Sequence, residues 1–149
     1  MPNVRFSDVI DSGADDVWTV LRKFGELAKW HPAIADSSIE DGSQDGTPGI
    51  VRKLTLQDGA TMTERLLSID DGNRALSYKF EEAPLPLDNY VLKVSVTPLT
   101  GQKRSFIDWE ASFDLRESDP TKQYESLMAD LIASGSKALG EHLLSSAKR

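Results

Sequence analysis

The chain has no cysteine. That excludes disulfides, thiolate metal sites and thiol nucleophiles. It has only two histidines, His31 and His142, far apart in sequence. A histidine-based zinc site is therefore not expected, nor is any other cofactor. Excess basic charge is also missing: 24 acidic residues face 17 basic ones, a formal charge of −7. No basic field exists to hold phosphates, so nucleic acid is not an expected partner, and neither is an anionic membrane surface. No apolar run is long enough to cross a bilayer, so membrane insertion is not expected either. The opening Met1-Pro-Asn-Val-Arg-Phe lacks the apolar stretch of a signal peptide, and the expected location is the cytoplasm. Motif chemistry is equally sparse. There is no Gly-x-Ser-x-Gly, phosphate-cradling glycine loop, His-Glu-x-x-His or calcium loop.

What remains is a chain of 149 residues with 39% hydrophobic and 28% charged content. It is read as one globular domain over 1–149, a monomer or weak homodimer. Its most informative stretch is the last. Asp119-Pro120 is placed to open a helix running to about Ser146, with Asp as cap and Pro in the first turn. Tyr124, Leu127, Met128, Leu131, Ile132, Gly135, Leu139 and Leu143 fall on one face at helical spacing. That face needs a partner.

The partner is a run of strands. Val4–Ile10 reads as the first, followed by a helix opened by Ser12–Asp16 and a short second helix near Gly25–Lys29 that ends before Pro32. Six further strands are expected at Ala33–Glu40, Ile50–Gln57, Thr61–Ile69, Ala75–Glu82, Tyr90–Thr97 and Lys103–Leu115. The turns Asp58-Gly59 and Asp71-Gly72 imply antiparallel neighbours. The order gives an α+β class: a curved antiparallel seven-stranded sheet wrapped on a long C-terminal helix.

Alternation identifies the inward side chains. They are Ile107, Trp109, Ala111 and Phe113 on the last strand, and Leu76, Tyr78 and Phe80 on the fifth. On the sixth, Tyr90, Leu92, Val94 and Val96 oppose a more polar face; on the third, Ile50, Arg52, Leu54 and Leu56 point in. The fourth strand is ambiguous, because Met62, Glu64 and Leu66 oppose Leu67 and Ile69; a bulge would let both ends face the core.

Five short stretches stand in a telling order: Trp30-His31-Pro32, Gly49 to Arg52, Glu64-Arg65-Leu66, Pro84 to Leu87 through Asn89-Tyr90, and Asp108-Trp109. Together they resemble the START-related, polyketide cyclase/dehydrase-like (SRPBCC) superfamily of helix-grip proteins, over nearly the whole chain. The resemblance implies a cavity between sheet and helix. By similarity to its abscisic-acid receptor branch, Glu64 points inward. The pocket positions of that branch fall on Arg52, Leu54, Leu56, Met62 and Glu64, on Tyr78, Phe80, Leu87 and Tyr90, and on Trp109, Met128 and Ile132. Pro84–Leu87 and Asp58-Gly59 match the loops at the mouth. His31 stands near a ligand-contacting lysine of those receptors, and Trp109 where they carry a carboxylate, so the same hormone chemistry is not implied.

The expected ligand is therefore a hydrophobic or amphipathic small molecule. Arg52 and Glu64 would fix its polar end; the plain alternative is an ion pair that satisfies itself. Tyr78 and Tyr90 could orient a ligand or simply pack. Gly135, on the packed face of the long helix, leaves either room for ligand or a bend. Two other functions compete with binding and transport. One is a cyclase, aromatase or dehydratase-like enzyme in which Glu64 or His31 moves protons. The other is a protein-interaction module using the mouth loops.

Overall fold

A computed structural model describes residues 2–147 of the chain. Seven strands form one sheet: β1 (Asn3–Ile10), β2 (Ile34–Ile39), β3 (Val51–Leu56), β4 (Thr61–Asp70), β5 (Ala75–Glu82), β6 (Leu87–Pro98) and β7 (Ser105–Leu115). All neighbours are antiparallel, in the order β1-β7-β6-β5-β4-β3-β2. Consecutive strands from β2 to β7 are joined as a meander, and β1 closes the far edge against β7. Between β1 and β2 lie helix α1 (Ala14–Leu21) and a 3-10 helix (Phe24–Lys29). The chain ends in α2 (Gln123–Ala147), 25 residues long. This is the helix-grip architecture, a curved sheet around a long C-terminal helix. Among the described residues no helix is long and apolar enough to cross a membrane.

The core follows the alternation. Ile107, Trp109, Ala111 and Phe113 of β7 are buried, as are Leu92, Val94 and Val96 of β6. Met128, Ile132, Leu139 and Leu143 of α2 meet them. In β4 Glu64 and Leu66 point inward, and Leu67 is the extra residue of a bulge: Leu66 pairs with Tyr78 and Ser68 with Ser77. The bulge resets the phase, so Ile69 packs against the core although it is three residues from Leu66.

Three boundaries differ from expectation by more than one residue. Helix α2 starts at Gln123, not at Asp119, because Lys122 takes a left-handed φ of 55° and interrupts the turn. Asp119 still caps it, its two carboxylate oxygens accepting the backbone N–H groups of Gln123 and Tyr124 at 2.9 Å each. Strand β7 begins at Ser105, whose buried hydroxyl donates to the Ser12 carbonyl at 3.0 Å. Strand β6 begins three residues early, at Leu87, with a bulge between Asp88 and Val91. Asn89 sits there at φ 55°, its side-chain amide donating to Asp114. The turn between β4 and β5 differs in detail too, since Arg74 rather than Gly72 takes the left-handed conformation.

Candidate functional site

Sheet, α2 and the 3-10 helix enclose a cavity of about 580 Å³. That lies within the range of small-molecule sites, about 300–1,000 Å³. Its wall is mostly apolar: Leu54, Leu56, Met62, Phe80, Trp109, Met128 and Ile132 all contribute. Gln57, Asp58, Pro84 and Leu127 line it while exposed to solvent, and so mark its mouth. The two rim loops are therefore the β3–β4 turn and the segment before β6.

One charged pair stands inside. Arg52 and Glu64 are direct partners across β3 and β4, each only 4% exposed. Arg52 donates from both Nε and Nη2 to one oxygen of Glu64, Oε1, at 2.8 and 2.6 Å. Its Nη1 donates to the Phe24 carbonyl at 2.9 Å. The guanidinium carbon lies 3.9 Å from the Phe24 ring centre and 4.6 Å from that of Tyr78. The local fold sets this up. Asp45 accepts the N–H groups of Phe24 and Gly25 at 3.1 and 2.9 Å, and Ser37 donates to the Gly25 carbonyl at 2.8 Å, so the 3-10 helix is held over β3. Burial raises the Glu64 carboxyl; the charge and hydrogen bonds of Arg52 pull it back. Burial likewise pushes both tyrosines up, Tyr78 further by the nearby Glu64 charge and Tyr90 further by Tyr78. Both therefore stay protonated at neutral pH.

His31 lines the cavity, with two edges of its ring engaged. Its Nδ1 accepts the Ala33 backbone N–H at 3.2 Å. Its other edge faces α2 so closely that a Cβ at Gly135 would lie 2.8 Å from Nε2. Burial and the Arg52 charge lower its pKa, with the Leu131 backbone opposing them, so the neutral ring is favoured. The space left by Gly135 is thus filled by a histidine.

Most residues singled out from sequence meet at this cavity: Arg52, Leu54, Leu56, Met62 and Glu64, then Tyr78, Phe80, Tyr90 and Trp109, and finally Met128, Ile132, Gly135 and His31. Leu87 does not. It pairs with Leu115 and is buried, 4% exposed, while Pro84 and Leu85 line the wall. Phe24 and Leu131 line the cavity too; their helical spacing marks them as packed, but not as wall. Trp109 carries an unexpected feature: among the described residues its buried indole Nε1–H has no acceptor. No cluster of three metal-ligating side chains occurs among the described residues.

Comparison with known proteins fits this geometry. The Arabidopsis thaliana protein "Abscisic acid receptor PYL2" is 31% identical over 96 residues, which is 62% of this chain and 50% of that receptor. The match thus spans about half the length of the curated relative. The Bacillus cereus protein XoxI superimposes with a TM-score of 0.86 at 28% identity, covering 97% of this chain and 96% of that one. A norcoclaurine synthase of Thalictrum flavum, solved as a point mutant with a transition-state analogue, gives a TM-score of 0.75 at 21% identity over 98% and 96% of the two chains, a likeness of fold alone. A family profile described as "Polyketide cyclase / dehydrase and lipid transport" covers residues 1–143, and with the helix-grip fold around an apolar cavity in place, the chain belongs to that family.

Proposed function

We propose that the protein binds or carries a hydrophobic or amphipathic small molecule between its sheet and α2. The observation that supports this most is the cavity itself: about 580 Å³, walled by apolar side chains, with polar groups confined to a few positions. Interiors are normally close-packed, so a void of this size among Leu, Met, Phe and Trp side chains costs stability unless something fills it. Burying an apolar ligand would contribute about 25 cal/mol per Å² before the costs of association. Entry would pass the β3–β4 turn, the Pro84–Leu85 segment and Leu127. The working compartment is the cytoplasm in this reading.

Native mass spectrometry of the protein purified from its own host tests it. A co-purifying small molecule is expected in the wild type and absent from Ile132→Trp, which fills the cavity. An empty wild type that also fails to take up an uncharged apolar dye would end the ligand reading.

A second reading, as a cyclase- or dehydratase-like enzyme, draws on one observation. Glu64 is a buried carboxyl raised above its ordinary value inside a cavity, which is what a proton-transferring group requires. Turnover of a polyketide-like chain by the wild type, lost in Glu64→Gln with binding retained, would favour it.

A further inference from the structure

Two facts about the buried pair bear on what the cavity accepts. Both N–H groups that Arg52 directs at Glu64 go to Oε1. Among the described residues, no hydrogen bond reaches Oε2, although Glu64 lines the cavity. The pair therefore offers the cavity an acceptor. It does not offer a free cation: Arg52 spends three of its five N–H donors on Glu64 and Phe24, its charge is matched by Glu64, and the Phe24 and Tyr78 rings lie against it.

Resting on the ligand-binding reading, we propose that the cavity selects an uncharged ligand bearing a hydroxyl, an alcohol or phenol that donates to Glu64 Oε2, over the carboxylate or ammonium of the same apolar skeleton. A carboxylate brought to this point adds a second buried negative charge beside Glu64, with only one cation for the two. The other basic side chains on the wall do not compensate. Lys23 is exposed at the rim. His31 has its Nδ1 lone pair engaged by Ala33 and its other edge packed on Gly135. An ammonium head meets the reverse problem, since the Arg52 guanidinium is hydrogen-bonded to the very carboxylate it would approach. A hydroxyl brings no charge to desolvate and supplies the donor that Oε2 lacks.

The test is displacement of Nile red, an uncharged dye, from the full chain at neutral pH by decanol, decanoate and decylamine, each below its micelle threshold. The skeleton is constant, so the head group decides. Decanol is expected to displace the dye at a concentration about tenfold or more below either charged probe, a factor equivalent to about 1.4 kcal/mol. Glu64→Gln removes the negative charge while keeping a partner for Arg52. In that variant the decanoate penalty is expected to shrink to within about threefold of decanol, with folding checked by circular dichroism. Dye bound to the wild type but displaced best by decanoate or decylamine overturns the hydroxyl proposal and leaves ligand binding standing. Failure of the dye and all three probes to bind overturns both. The wild-type ranking decides the matter even where the variant does not fold.

Discussion

His31 and Gly135, more than a hundred residues apart, share one space: the imidazole occupies the position that a side chain at 135 would need. A Cβ there would stand 2.8 Å from Nε2 and 2.9 Å from Cδ2. The glycine is thus the socket through which the loop after the 3-10 helix is fitted to α2.

Gly135→Ala is therefore expected to destabilise the protein by about 1–3 kcal/mol in urea unfolding, because the ring cannot retreat without losing its Ala33 bond. In a His31→Ala background the same substitution should change sign. There only the helix-forming advantage of alanine remains, about 1 kcal/mol. Equal effects in both backgrounds would refute the shared space.

His31 also predicts a pH dependence. Burial and Arg52 depress its folded pKa below the ordinary 6.5. As pH falls through that value, the unfolded chain takes up a proton that the folded chain refuses, so stability declines until the folded pKa is passed. Glu64 works the other way, with its folded pKa raised above 4.5 and its contribution fading as pH rises beyond that value. The stability curve of His31→Gln subtracted from that of the wild type isolates the histidine. The difference should fall with decreasing pH below 6.5, by at most about 1.4 kcal/mol per pH unit.

Breaking the buried pair should cost far more than replacing it. Arg52→Ala leaves the Glu64 carboxyl buried without its cation, and is expected to lose about 3–5 kcal/mol of stability in urea unfolding. The double change Arg52→Met with Glu64→Leu should fold at least as stably as the wild type. If the double variant is also crippled, the Arg52 bond to the Phe24 carbonyl is the stronger requirement.

Trp109 should tolerate loss of its polar atom. Trp109→Phe removes a buried donor without a partner, which by itself costs about 1–3 kcal/mol, while giving up some packing volume. The two effects oppose, and the expected net change in thermal or urea stability is within about 1 kcal/mol. A much larger loss would mean that the indole N–H is satisfied in the folded protein.

The sheet was legible because period-two alternation is a local property: the inward sets of β3, β5, β6 and β7 can be read from each strand by itself. The Arg52–Glu64 juxtaposition was legible for a related reason, since the short Asp58-Gly59 turn fixes the register that sets them face to face. What escaped depends on single extra residues and on contacts distant in sequence. The one-residue bulge at Asn89 keeps Leu87 in phase with Tyr90, yet Leu87 packs beside Leu115 and does not line the cavity. Gly135 read as room for ligand or a bend because nothing near it in sequence announces His31. Phe24 read as packing, which it is, but its role as acceptor lies in its carbonyl, and backbone groups leave no mark on composition.

The bulge at Leu67 has a consequence for how this protein can change. It divides β4 into two segments out of step with one another: Met62 and Glu64 before it line the cavity, and Ile69 beyond it packs against the core. Removing that one residue would close the bulge into regular alternation, with Ile69 still facing inward two places after Leu66. Exchanges at Met62, on the near side of the bulge, would reshape the cavity wall while Ile69 keeps its place against the core.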